Sequence, residues 1–152
     1  MEKILEINAK LQILRPLHEV FEAIADPGKM INYFISRSTG RIEAGKSLIW
    51  RFPEFDMDVP VQIGKVIPDS FISYDWDNDG KKTTVEMHLT AVNDNATIVE
   101  VTEKSMKNDE AGIKWLKQNT EGWANFLSCL KAWLEYGINL RKGAFDFMKT
   151  PG

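Results

Sequence analysis

The sequence predicts an α+β fold, a curved antiparallel sheet wrapped on a long C-terminal helix, with two short helices between the first two strands. Three observations carry this prediction. A cleanly alternating segment opens the chain, several short alternating segments joined by Asn/Asp/Gly turns fill its middle, and a proline-free amphipathic stretch lies near its end.

Residues 3 to 14 alternate with period two: Leu5, Ile7, Ala9, Leu11 and Ile13 share one face, and Glu6, Asn8, Lys10 and Gln12 the other. This is the pattern of a half-buried strand. Pro16 then stands where a helix can start, because its missing N–H would be unpaired there anyway. Leu17, Val20, Phe21 and Ile24 follow at helical spacing. Asp26-Pro27 ends that helix and can cap a second short one carrying Met30, Tyr33 and Phe34.

From about Ser36 to Ser105 the period returns to two. Leu48, Trp50 and Phe52 alternate, then Met57, Val59, Val61 and Ile63, with Gly64 offering a bulge and Pro60 arguing for an edge or a local irregularity. Ile72, Tyr74 and Trp76 form the next inward face, ahead of the Asn78-Asp79-Gly80 turn. Val85, Met87, Leu89 and Ala91 continue to Asn93-Asp94-Asn95, and Val99 and Val101 complete the sheet, with Thr97 and Glu103 at the ends of their face. Strands joined by such short turns pair antiparallel. From Asp109 to Gly137 an apolar band runs through Trp115, Leu116, Trp123, Phe126, Leu127 and Leu130, continuing to Trp133 and Leu134. Asn108 or Asp109 can cap its start. A helix of this length spans about 40 Å, enough to cross a sheet. Residues 138 to 152 form a tail whose Phe145, Phe147 and Met148 are available to pack back or meet a partner. Residues 1–152 thus read as a single domain.

Composition bounds the function classes. A chain of 152 residues with 43% hydrophobic and 27% charged residues is ordinary globular material. A net charge of −3 and the absence of a basic stripe argue against a nucleic-acid partner. The apolar runs are too short for a bilayer span, and the start of the sequence lacks a signal pattern. With a single cysteine, Cys129, no internal disulfide forms, and a cytoplasmic location is expected. Five Trp and eight Phe make the chain aromatic-rich, which suits a packed core or an apolar ligand cavity.

One motif is deceptive. Asp75, Asp77, Asp79, Gly80 and Glu86 match the spacing of a helix-flanked calcium loop. Their flanks alternate as strands, however, and Lys82 occupies the slot that loop reserves for an apolar residue, so a hairpin turn is expected. His18 and His88 lie on outer faces and Cys129 has no histidine at helical spacing, so neither a metal site nor a nucleophile is indicated. No cofactor motif is present. The informative groups are inward polar ones: Asn119, inside the apolar band of the long helix, and Glu103, in parity with Val99 and Val101. Gly122, directly before Trp123, costs about 1 kcal/mol against alanine in a helix interior, which close packing or cavity space must offset.

Gly122-Trp123, Phe126-Leu127, Leu130 and Leu134-Glu135 resemble the closing helix of the START-like, polyketide-cyclase-like (SRPBCC) superfamily. Pro16, Val20-Phe21, Ala23-Ile24 and Asp26-Pro27 resemble its first helix and corner. Gly64, Val66, Pro68, Ile72, Tyr74 and Trp76 resemble a hairpin of the group related to the C-terminal domain of the activator of the heat-shock protein 90 ATPase. The chain departs from that group in having Tyr33-Phe34 where Trp is frequent, and in lacking a double glycine near Gly45-Lys46. The resemblance implies a helix-grip fold with a cavity between sheet and helix, of the kind that holds apolar small molecules in many relatives. It does not carry chaperone activity over, because the chain is expected to lack the separate N-terminal domain of the co-chaperone.

The leading expectation is therefore a protein that binds a small hydrophobic or aromatic molecule. Its contacts would come from Trp50, Phe52, Tyr74, Trp76 and Met87 on the sheet, and from Trp115, Asn119, Trp123 and Phe126 on the helix. The alternatives are a chaperone-linked or stress-response interaction module, self-association included, and a cyclase-like or hydrolase-like enzyme with Glu103 as its weak catalytic candidate.

Overall fold

The computed structural model describes residues 4–78 and 80–149. Its order is β1 (Ile4–Ile13), α1 (Leu17–Ala25), α2 (Pro27–Met30), β2 (Arg37–Ser38), β3 (Ser47–Arg51), β4 (Val59–Ile67), β5 (Phe71–Asn78), β6 (Lys81–Asn93), β7 (Ala96–Lys107) and α3 (Glu110–Tyr136). Among the described residues the strands form one antiparallel sheet in the order β1-β7-β6-β5-β4-β3-β2. Every neighbouring pair except β1–β7 is consecutive in sequence, while the edge strand β1 closes on β7 across the whole chain.

Local sequence explains where elements begin and end. Asp26 caps α2 by accepting from the Gly28 N–H, and Asp109 caps α3 by accepting from the Gly112 N–H. Gly137 ends α3 in the left-handed region at φ 66°, a conformation glycine adopts without strain. Helix α2 stops at Met30, so Tyr33 and Phe34 follow it in a turn rather than lying within it. The third strand ends before Phe52, and the fourth begins after Met57, which is exposed.

Pro60 pairs with Ile49 of β3 although β4 is an interior strand. The β4–β5 ladder begins only at Gln62, so the missing N–H of Pro60 falls where β4 has one neighbour. The register slips between Ile63 and Val66, placing the bulge at Gly64 as its sequence suggested. The β5–β6 hairpin pairs Asp75 with Thr84 and Asn78 with Lys81, so the calcium-like spacing is a hairpin; Asp79 lies outside the described residues. A second bulge in β7, opposite the Leu5–Glu6 step, puts Ser105 at φ 89°. It shifts parity so that Glu103 and Met106 both face inward.

Helix α3 packs on β1, β7 and α1. The core between them includes Ile7, Ile24, Val101, Phe126 and Leu130. Gly112 sets the close approach at the start of the helix. A Cβ there would lie 1.8 Å from the Lys107 carbonyl oxygen.

Candidate ligand-binding site

The site grows from one buried carboxylate. Glu103 is fully buried, and such a group costs several kcal/mol in an apolar interior unless donors surround it. Donors do surround it. Its Oε1 accepts from Trp123 Nε1 at 2.8 Å and from Asn119 Nδ2 at 3.1 Å. Its Oε2 accepts from Trp76 Nε1 at 2.8 Å and from Thr83 Oγ1 at 2.6 Å. These donors come from β5, β6 and α3, so the carboxylate of β7 fastens the helix to the sheet. It also fixes both indoles with their N–H edges inward, at 5.7 Å between ring centroids and 30° between planes. With both oxygens so engaged, Glu103 is built as an acceptor that positions these rings.

The carbon faces of Trp76 and Trp123 border a partly open cavity of about 260 Å³. Phe34, which follows α2, and Phe52 and Phe55, in the loop after β3, supply further aromatic walls. Asn119 and Gly122 line its helix side, and a Cβ on Gly122 would meet nothing within 4 Å. That glycine therefore borders empty space and makes no close packing contact, the role Gly112 fills instead. Arg141, Phe145 and Met148, beyond the end of α3, form the roof, with Arg141 paired to Glu54 of the 52–58 loop.

Of the nine expected contact residues, Phe52, Trp76, Asn119 and Trp123 come together at this cavity. Trp50, Tyr74, Met87 and Phe126 are at most 2% exposed and fill the core behind it. Phe34 transmits that packing, with its ring 5.7 Å from Trp50 and 4.7 Å from Phe126. Trp115 instead borders a separate recess, with Met106 and the other side of Asn119. The inner groove is thus filled with side chains, and the open space lies at its rim. Burial holds the Tyr33 and Tyr74 phenols well above their ordinary range, with the charge of Glu103 adding to the effect on Tyr74. The Tyr33 hydroxyl donates to the Ala23 carbonyl at 2.8 Å. The Tyr74 hydroxyl and the Trp50 and Trp115 N–H groups have no partner among the described residues. Among those residues no group of His, Cys, Asp and Glu is gathered to hold a metal ion, and no helix is long and apolar enough to cross a membrane.

An antiparallel sheet curved around one long C-terminal helix is the helix-grip arrangement of the START-like, polyketide-cyclase-like superfamily. Within it the chain belongs to the family described as Activator of Hsp90 ATPase homolog 1-like protein, which matches residues 15–135. Among solved structures, the protein SSP2350 from Staphylococcus saprophyticus is similar at 31% identity and a TM-score of 0.80, over 90% of this chain and 96% of that one. The Aha1 dimer from Colwellia psychrerythraea is similar in fold at 20% identity and a TM-score of 0.74, over 88% and 98%. CalU16 from Micromonospora echinospora shares the fold at 16% identity and a TM-score of 0.69, over 96% and 91%. No curated protein matches the chain closely enough to count as a relative.

Proposed function

We propose that the chain binds a small hydrophobic or aromatic molecule in the rim cavity, without a catalytic step. The observation that carries this reading is the cavity of about 260 Å³ walled by aromatic rings, two of them held by Glu103. Its volume is just under the usual range for ligand pockets, which suits a compound of one or two fused rings. Affinity would come from burying apolar surface at roughly 25 cal/mol per Å². Phe52, Trp76 and Trp123 would supply the contacts, and Asn119 a polar edge.

The test is titration with 2-methylnaphthalene, an uncharged probe of two fused rings, followed by tryptophan quenching. Saturable binding is expected in the wild type, and its loss in Gly122→Leu, whose side chain would occupy the empty space. Equal binding by both proteins, or none by the wild type, would overturn the reading.

A second reading, self-association, is favoured by apolar side chains exposed at the end of the chain: Tyr136, Ile138, Leu140 and Phe147, the last 81% exposed. The Colwellia relative is described as a dimer. Sedimentation that finds a monomer at every concentration would remove this reading.

A further inference from the structure

The roof of the cavity carries a charge arrangement that an apolar ligand alone would not require. Glu54 has a side chain only 4% exposed, and Arg141, whose side chain is 15% exposed, reaches it from across the fold. Arg141 Nη2 donates to Glu54 Oε1 at 2.6 Å, and its Nε to Oε2 at 3.4 Å. The guanidinium carbon lies 6.0 Å from the ring centroid of Phe34, 5.6 Å from that of Phe52 and 4.9 Å from that of Phe145. A cation held by ring faces and a carboxylate is the arrangement by which proteins bind ammonium and guanidinium groups.

The parts of this arrangement have two origins. Phe34, Phe52 and Glu54 belong to the body of the fold. Arg141 and Phe145 belong to residues 138–149, which follow the left-handed Gly137 and lie beyond residues 15–135, where the family match ends. The body therefore offers a cation-accepting corner, and the chain's own tail fills it. Were Arg141 to leave, Glu54 would face aromatic rings without its counter-charge, an expensive state unless another cation arrived. The neighbouring rings favour the same sign of charge. Trp76 and Trp123 donate their N–H groups to Glu103, which draws electron density onto the indole faces that border the cavity. An anionic ligand would instead approach Glu54 while competing with it for Arg141.

We propose that the ligand of this cavity carries a cationic head, an amine, guanidinium or quaternary ammonium, on an aromatic or apolar body. Arg141 is then an internal occupant that the head displaces. The inference rests on the reading of the cavity as a ligand site and adds the charge of what enters it. Because ligand and tail compete for one corner, ligand binding weakens the docking of residues 138–149 by the same factor by which the docked tail weakens ligand binding.

The experiment compares three naphthalene probes on the full chain by tryptophan fluorescence: cationic (2-naphthylmethyl)trimethylammonium, neutral 2-methylnaphthalene and anionic 2-naphthalenesulfonate. The proteins are wild type, Arg141→Ala, Arg141→Met and the double variant Glu54→Gln/Arg141→Ala. The cationic probe is expected to bind both single variants about tenfold more tightly than wild type, a gain that the double variant loses, while the neutral probe changes far less. A second measurement needs no variant: the cationic probe should speed amide exchange in residues 138–149 of the wild type, and the neutral probe should not. The proposal is overturned if Arg141→Ala brings the cationic probe no gain, if Glu54→Gln leaves that gain intact, if the tail is unaffected, or if the sulfonate binds wild type best and depends on Arg141. Failure of 2-methylnaphthalene to bind any of the proteins would sink the cavity reading as well. Neutral binding without a cationic gain would sink the charge assignment alone.

Discussion

At the scale of single residues, this protein spends its buried polar groups unevenly. Glu103 has a donor on every side that the described residues show, whereas the Tyr74 hydroxyl has no partner among them. Replacing Glu103 with Gln should cost about 2 kcal/mol in urea unfolding, since one amide N–H would then face a donor; Ala should cost about 3–5 kcal/mol. Stability within about 0.5 kcal/mol of wild type would show that the carboxylate does not hold the helix to the sheet. Tyr74→Phe should be neutral or stabilising by up to about 1 kcal/mol, and Tyr33→Phe destabilising by a similar amount, because only Tyr33 loses a hydrogen bond. Both phenols are raised in the folded state above their ordinary value of 10.0. The unfolded chain therefore releases these protons first, so the stability they contribute is complete below about pH 10 and falls as pH rises beyond it. In Tyr74→Phe this alkaline loss should be shallower, as urea unfolding at a series of pH values above about 9 would record.

At the scale of elements, the two glycines of α3 give opposite predictions. Gly112→Ala sets a methyl against the backbone of Lys107 and should cost more than about 3 kcal/mol. Gly122→Ala meets nothing and should gain up to about 1 kcal/mol of helix propensity, with thermal unfolding separating the two. The helix, its caps and the alternating strands were legible in the sequence because each rests on local periodicity and on side chains that bond their own neighbours. The inward parity of Glu103 was legible for the same reason. Its donors were not, because Trp76 lies 27 residues away and only the folded sheet and helix bring the two together. The rim cavity was legible only in part. Trp76, Asn119 and Trp123 sit on periodic elements and were foreseen, as was Phe52, whose alternation with Leu48 and Trp50 runs one residue past β3, whereas Phe34, Phe55, Arg141 and Phe145 lie in turns and the tail, where no period marks an inward face. The Glu54–Arg141 pair, 87 residues apart, has no local signal at all. Trp50, Tyr74, Met87 and Phe126 were assigned to the cavity for facing inward, yet that direction alone does not separate a packed wall from an open one.

At the scale of the whole molecule, one core joins helix and sheet, so tryptophan fluorescence and far-UV dichroism should report one coincident unfolding transition. Two separated transitions would mean that α3 detaches before the sheet melts. Acid stability should depend on the pair Arg41–Glu22, which ties α1 to the loop before β3. The hydrogen bond from Arg41 holds the Glu22 carboxyl below its ordinary value of 4.5. A depressed carboxyl contributes stability above that value and loses it as pH falls through its folded-state pKa. Arg41→Ala should therefore be less stable than wild type near pH 6, by no more than about 1 kcal/mol for a partly exposed pair, with the gap closing in strong acid.

Cys129 lies buried on α3, where it feels the charges of Arg141 and Glu54, and burial pushes its thiol up. The sole sulfhydryl of the chain thus lies within electrostatic reach of the Glu54–Arg141 pair. Alkylation at this one position becomes a clock for opening of the structure around the helix: each modified molecule records an excursion that uncovered the sulfur. No engineered label is required to count them.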